Sequence, residues 1–224
     1  MEIKPIGFIK TDFKEKFGIP RQSGIVEEIK GEIIFEKEFR NPDALRGIEE
    51  YSHLWLIFDF SQNHREVWSP TVRPPRLGGN TRVGVFATRS PFRPNNLGLS
   101  CVKLESIKED KNNGLSLIVS GVDLLDNTPI YDIKPYIPYS DCKNDAKGSF
   151  SDEFKEYKIN VFYDENVFKN INNDEKKAII KLIEQNPAPA YKKQEKIYKF
   201  LFSKYEISFK IKENNAEIIK INKI

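Results

Sequence analysis

The sequence predicts a mainly β protein: a closed barrel or a sandwich over residues 1–140, followed by a small α+β unit over residues 150–224. Three observations point there. Short alternating or β-branched runs fill the first part, with a single helix signal among them. A polar, turn-rich stretch at 139–150, holding Ser140, Asp141, Lys143, Asn144, Asp145, Gly148 and Ser149, then breaks the texture. Beyond it an amphipathic helix pattern lies among strands. The regular strand–helix alternation of a doubly wound sheet is absent.

Residues 3–9, 31–39, 53–60, 82–87, 99–107 and 115–121 read as strands. Asn112-Asn113-Gly114, between the last two, is a hairpin signal, because Asn and Gly tolerate positive φ. Residues 42–51 read as a helix, with Asn41 as its cap and Pro42 at its first position. In the second part, 157–162 reads as a strand and 174–184 as a helix carrying Ala178, Ile179, Leu182 and Ile183 on one face. Residues 205–211 and 216–221 read as a hairpin around Asn214-Asn215. Trp55, in an apolar strand, and Cys101, beside Leu99 and Val102, read as core residues, while Trp68 stays open between core and surface.

Composition removes several function classes. With 39% hydrophobic and 31% charged residues, the 224-residue chain is expected to be soluble and to bury a core without staples. No run reaches the roughly 18 apolar residues of a membrane span. The start, Met1-Glu2-Ile3-Lys4-Pro5, lacks the apolar centre of a secretion signal. Two cysteines, Cys101 and Cys142, and two histidines, His53 and His64, supply neither a disulfide framework nor a metal centre; no metal and a reducing cytoplasm are expected. No Gly-x-Gly-x-x-Gly follows a strand, and a P-loop, Cys-x-x-Cys and Gly-x-Ser-x-Gly are missing, so a Rossmann nucleotide site has no support.

Charge is more informative. Residues 1–140 carry 19 Lys and Arg against 19 Asp and Glu, and residues 141–224 carry 17 against 14. All nine arginines fall between Arg21 and Arg93. From residue 60 to 100 there are six Arg, no Lys and one acid, Glu66. Arginine grips phosphate and carboxylate through two parallel N–H groups and stacks on bases, which lysine does not do. An anionic partner for this stretch is favoured, nucleic acid among the candidates.

Residues 84–100 (GVFATRSPFRPNNLGLS) run from a strand into a loop with two prolines, two arginines and two asparagines, then into another strand. Pro91 and Pro94 fix φ and remove N–H donors, so the loop is stiff, and a stiff loop presenting Arg and Asn reads as a binding loop. This segment strongly resembles the signature of the TsaA-like, or TrmO, family of tRNA methyltransferases. The likeness extends to Pro20-Arg21-Gln22 with Gly24, to the helix-and-strand segment 45–59, to 72–79 (VRPPRLGG), to 121–136 (GVDLLDNTPIYDIKPY) and to 185–191 (QNPAPAY).

The resemblance implies a β-barrel methyltransferase domain using S-adenosylmethionine, with a small α+β C-terminal domain. It implies methylation of N6 of threonylcarbamoyladenosine beside the anticodon of certain tRNAs, by a homodimer with the cofactor near the subunit interface. Carried over by position, Pro20, Arg21, Gln22, Arg89, Leu99 and the turn Asp126, Asn127, Thr128 and Pro129 line the cofactor site. The family's further contact pair follows the Leu-Trp strand as Phe-His and a polar residue. This chain reads Phe60-Ser61-Gln62, so Ser61 and Gln62 are the expected contacts and His64 with Arg65 the alternative. Arg89 is expected to pair with the methionine carboxylate, and Asp126 or Asn127 to hold the amine or ribose. No catalytic base is assigned; Tyr131 and Asp132 are candidates that equally fit satisfied strand positions. Arg73, Arg76 and Arg93 are expected to touch phosphates or stack on anticodon-loop bases. Tyr191-Lys192-Lys193 extends that footprint, while Ala188 stands where the family usually has Arg. The alternative function is a non-catalytic, RNA-binding or cofactor-sensing barrel.

Overall fold

The computed structural model describes residues 2–187 and 196–224. Six strands close a barrel: β1 (Gly7–Thr11), β2 (Lys30–Phe35), β3 (His53–Asp59), β6 (Leu97–Asp110), β7 (Gly114–Ser120) and β8 (Thr128–Pro135), in the order β1-β2-β7-β6-β3-β8. Closure pairs every edge and settles barrel against sandwich. The two-residue strands β4 (Thr71–Val72) and β5 (Val83–Gly84) form a ribbon outside it. A second sheet, ordered β10-β11-β12-β9, contains β9 (Asn160–Phe162), β10 (Lys196–Phe202), β11 (Tyr205–Lys212) and β12 (Asn215–Lys223). The one-turn α1 (Pro138–Asp141) follows the barrel, and α2 (Asn173–Glu184) accompanies the second sheet.

β6 makes the corner of the barrel. Its first half pairs with β3 and its second half with β7, across a bulge between Leu104 and Ser106. Such a bulge bends one strand so that it serves two neighbours. The Asn112-Asn113-Gly114 hairpin forms as expected, with Asp110 Oδ1 accepting both Asn112 and Asn113 N–H at 2.9 Å and Gly114 at φ 70. Gly98 on β6 has no room for a side chain: a Cβ there would stand 2.2 Å from the Phe58 ring.

Some elements differ from the sequence reading. The helix expected at 42–51 is two 3-10 turns, Pro42–Leu45 and Ile48–Glu50, because Gly47 between them takes the left-handed φ of 83. Its predicted cap is real, since Asn41 Oδ1 accepts Asp43 N–H at 3.0 Å. The strand expected at 82–87 shrinks to β5 and a 3-10 turn, Val85–Ala87. Trp55 is only half-buried: its Nε1 donates to Asp141 Oδ2 at 2.9 Å and its ring lies on Tyr136. Cys101 is likewise half-buried.

Ile9, Ile33, Leu54, Leu56, Val102, Leu117, Val119 and Ile130 fill the barrel. Ala178, Ile179, Leu182 and Ile183 of α2 are buried, the face read from the sequence, and α2 starts on an Asn172 cap bonded to Glu175 N–H. The two cores are continuous through the segment after β1. There Phe13 meets Phe202 at 5.7 Å between ring centroids, Asp12 C=O accepts Ser203 N–H at 3.0 Å, and Glu15 Oε1 accepts Leu201 N–H at 2.9 Å.

Candidate active site

A cavity of about 580 Å³ opens where four stretches meet: residues 16–22, the end of β3 with the turn after it, the 88–93 loop into β6, and the 123–128 turn. That volume lies in the range of small-molecule sites. Pro20, Arg21, Gln22, Ser61, Gln62, Arg89, Leu99 and Thr128 share its wall with Asp59, Ser100 and Asp123. Arg89 donates an N–H to Gln22 Oε1, joining two stretches far apart in sequence.

The proline-braced loop holds itself in shape. Arg93 folds inward, donating from Nη1 to Thr88 C=O at 2.7 Å and to Val85 C=O at 3.2 Å. Asn96 Nδ2 donates to Pro91 C=O at 2.6 Å, and Thr88 Oγ1 to Val85 C=O at 2.9 Å. These bonds hold the loop so that Arg89 is presented from a fixed base.

Two carboxylates occupy the wall. Asp123 Oδ1 accepts Ser100 Oγ–H at 2.6 Å, and backbone N–H groups of Ser23 and Asp123 also face it. Burial nevertheless pushes its pKa up to about 6, against the pull of those bonds and of the nearby Arg89 charge. Asp59, at the end of β3, meets His64 Nε2 at 2.7 Å; burial, with the Asp59 charge added, raises the Tyr131 phenol. Among the described residues, no group of three His, Cys, Asp or Glu side chains converges on a metal position.

A second feature borders the cavity. The Arg21 guanidinium donates to Asn186 C=O at 3.1 Å, and Arg76 to Gln185 C=O at 3.2 Å, so two arginines cap the C-terminal end of α2. Arg76 also lies over Tyr157, 4.2 Å from its ring centroid, and over Phe154 at 5.4 Å. Burial, with the Arg76 charge added, pushes Arg21 down to about 10. The Lys181–Glu28 ion pair, 2.6 Å, spans the same seam.

The comparisons decide the family. Residues 8–142 match the tRNA-methyltransferase O N-terminal domain, and residues 155–224 match the TrmO C-terminal domain. A tRNA (adenine(37)-N6)-methyltransferase of Escherichia coli is 38% identical over 229 residues, covering 98% of this chain and 97% of that protein. The chain belongs to the TrmO family. A crystal structure of TrmO from P. aeruginosa superposes with a TM-score of 0.80 at 29% identity, over 100% of this chain and 97% of that one. A Pyrococcus abyssi relative, 38% identical over 64% of this chain and 72% of its own, bears the name probable S-adenosyl-L-methionine-binding protein. A Pseudomonas aeruginosa relative, 40% identical over 86% of this chain and 84% of its own, bears the name putative S-adenosylmethionine-dependent methyltransferase. The cavity has room for the cofactor of that name, and its wall sets apolar Leu99 and Phe58 beside charged Arg89 and Asp123.

Of the residues expected from the TrmO resemblance, the structure does not bring Asp126, Asn127 or Pro129 to the cavity wall. Asp126 is engaged with Lys14 Nζ at 2.8 Å and Thr11 N–H at 3.0 Å. Asn127 takes φ 61 at the tip of the turn, its side chain bonded to Lys10, and Pro129 sits opposite Phe8 in the β1–β8 pairing. Thr128 alone of the four faces the cavity. Ser61 and Gln62 line it, whereas His64 reaches it only through Asp59 and Arg65 lies over the Phe92 ring. Tyr131 and Asp132 lie off the wall, Asp132 in an ion pair with Lys134. Of the RNA candidates, Arg73 is exposed, while Arg76 and Arg93 spend their guanidiniums inside the protein as described. Tyr191, Lys192 and Lys193 lie outside the described residues. Sequence reading gave Asp123 no role, although it lies within the 121–136 segment that carries the resemblance, just after β7.

Proposed function

We propose that this chain methylates N6 of threonylcarbamoyladenosine beside the anticodon of tRNA. S-adenosylmethionine supplies, when bound, a methyl group made electrophilic by its sulfonium. The observation that carries the reading is the single cavity that gathers Pro20, Arg21, Gln22, Ser61, Gln62, Arg89, Leu99 and Thr128 in a chain related along its whole length to a tRNA (adenine(37)-N6)-methyltransferase.

In this reading the protein acts mainly by placement, which accounts for a large share of the acceleration in displacement reactions. Arg89, fixed through Gln22 and its hydrogen-bonded loop, holds the cofactor's carboxylate, and Leu99 and Phe58 cover its apolar parts. The N–H to be replaced lies between a purine ring and a carbonyl, which makes it more acidic than a plain exocyclic amine, so the demand on a base is modest. Residues 1–140 form the cofactor-binding domain, and 150–224 add tRNA contacts. Arg73, exposed and in no ion pair among the described residues, is suited to a phosphate or an unpaired base. The working form is a homodimer in the cytoplasm: Leu97 and Leu99 on the cavity wall are exposed apolar side chains, and exposed Phe86 lies against Arg93 of the same wall, apolar surface that a second copy would cover.

The test is mass analysis of the nucleosides of threonylcarbamoyladenosine-containing tRNA incubated with the protein and S-adenosylmethionine. One added methyl on that nucleoside is expected. Cofactor binding without the added mass would leave only the non-catalytic function. Size-exclusion chromatography with light scattering checks the dimer.

A further inference from the structure

Asp123 has a polar arrangement that no step above uses. Its carboxylate is on the cavity wall, one oxygen held by Ser100 at 2.6 Å, with backbone N–H groups of Ser23 and Asp123 beside it. Arg89 is near enough to act on it electrostatically, yet no ion pair joins the two, and Arg89 donates instead to Gln22. A carboxylate and a guanidinium on one wall, close but unpaired, match a ligand group that carries an ammonium and a carboxylate on the same carbon. The other charged side chains on this wall are Lys16, Arg21, Arg93 and Asp59. Asp59 already has His64, and the remaining three are cations that cannot attract an ammonium.

Resting on the cofactor reading above, we infer that Asp123 is the receptor for the α-ammonium of the cofactor's methionine end, opposite Arg89 for its α-carboxylate. This replaces Asp126, which the Lys14 ion pair and the Thr11 N–H turn away from the cavity. The consequence is a pH-gated affinity. Burial holds the Asp123 pKa at about 6 in the free protein, so below that pH the ligand meets a neutral carboxyl group. Binding favours the charged carboxylate, and the affinity therefore falls as pH drops from 7 to 5, by at most about tenfold per unit.

The experiment is calorimetric titration of the full chain with S-adenosylhomocysteine and, separately, with 5′-methylthioadenosine, which has the same nucleoside and thioether but no amino acid group. Wild type, Asp123→Asn and Asp126→Asn are each titrated between pH 5 and 7. Asp123→Asn is expected to weaken S-adenosylhomocysteine about ten- to a hundredfold at pH 7, the loss of one charge-assisted hydrogen bond. It is also expected to flatten the pH dependence and to leave 5′-methylthioadenosine within about twofold. Retained methylthioadenosine binding also shows that the variant is folded. Asp126→Asn is expected to keep both affinities and the pH dependence. An equal loss of both ligands in Asp123→Asn would overturn the inference, because the carboxylate would then grip the ribose or shape the cavity. So would a pH dependence that survives the substitution. Wild type binding neither ligand would overturn the cofactor reading itself, a result distinct from either of these.

Discussion

Arg76→Ala separates two roles for a residue that the sequence marks as an RNA contact. In the fold its guanidinium donates to Gln185 C=O at 3.2 Å and lies 4.2 Å from the Tyr157 ring centroid. The hydrogen bond contributes about 1 kcal/mol and the ring contact about 1 kcal/mol, with a few tenths more from a cation at a helix C-terminus. Partial exposure keeps each near the low end of its range. Relief of Arg21, whose guanidinium the Arg76 charge disfavours, returns a fraction of a kcal/mol. The net loss is about 2 kcal/mol. With a urea slope of about 2 to 3 kcal/mol per molar, the unfolding midpoint moves down by roughly 0.7 to 1 M. Urea unfolding followed by tryptophan fluorescence reads the shift, and filter binding reads tRNA affinity. An unchanged midpoint with tenfold weaker tRNA binding would refute the assignment of Arg76 to the seam and return it to the RNA surface.

Three further substitutions test the cavity. Gly98→Ala places a Cβ 2.2 Å from the Phe58 ring and is expected to cost about 2 to 3 kcal/mol in urea unfolding, with weaker S-adenosylhomocysteine binding because both residues line the wall. Arg93→Ala removes the guanidinium bonds to the Val85 and Thr88 carbonyls, so amide hydrogen exchange over residues 88–96 is expected to quicken about tenfold. Asp123→Asn is expected to stabilise the ligand-free protein. A carboxyl whose pKa rises to about 6 on folding binds more protons in the folded state, so its cost grows as pH rises from about 4 to 6 and is complete above 6. The variant should exceed wild type by about 3 kcal/mol at pH 8 and by well under about 1 kcal/mol near pH 4 in parallel urea titrations.

Local chemistry made parts of this fold legible and hid others. The Asn112-Asn113-Gly114 hairpin and the Asn41 cap depend on one or two residues, and both form. Periodicity does not single out β8, because TPIYDIKP carries prolines at both ends and its burial does not alternate cleanly; its place is set by pairing with β1 and β3. The helix expected at 42–51 fails at one residue, Gly47, whose neighbours carry helical propensity on both sides. At the site, the clustering of arginine was visible but its direction was not. Arg89 and Arg93 both line the cavity, but the Arg93 guanidinium is held by the Val85 and Thr88 carbonyls of its own loop, which only the folded loop brings together. Asp123, inside the 121–136 segment, gained no role for the related reason that an acid after a strand is commonplace until Ser100, from another strand, is laid against it.

The departure at Ser61 is where this chain's own solution shows most clearly. The resemblance to the TrmO family implies an imidazole after Phe60; here Ser61 lines the cavity, and His64, off the wall, meets Asp59 at 2.7 Å. The Asp59 side chain is only 9% exposed, and His64 is its one ion-pair partner among the described residues. Removing the imidazole therefore leaves a largely desolvated carboxylate without its partner, which costs about 1 to 3 kcal/mol. His64→Ala is expected to show that loss in urea unfolding at pH 7, while Asp59→Asn with His64→Ala together recover most of it, since an amide has no charge to strand. If His64 acts on the cavity only by holding Asp59, S-adenosylhomocysteine affinity follows the same pattern across the cycle. A double variant as unstable as His64→Ala alone would break this reasoning, because the imidazole would then be stabilising the turn by itself rather than through the carboxylate.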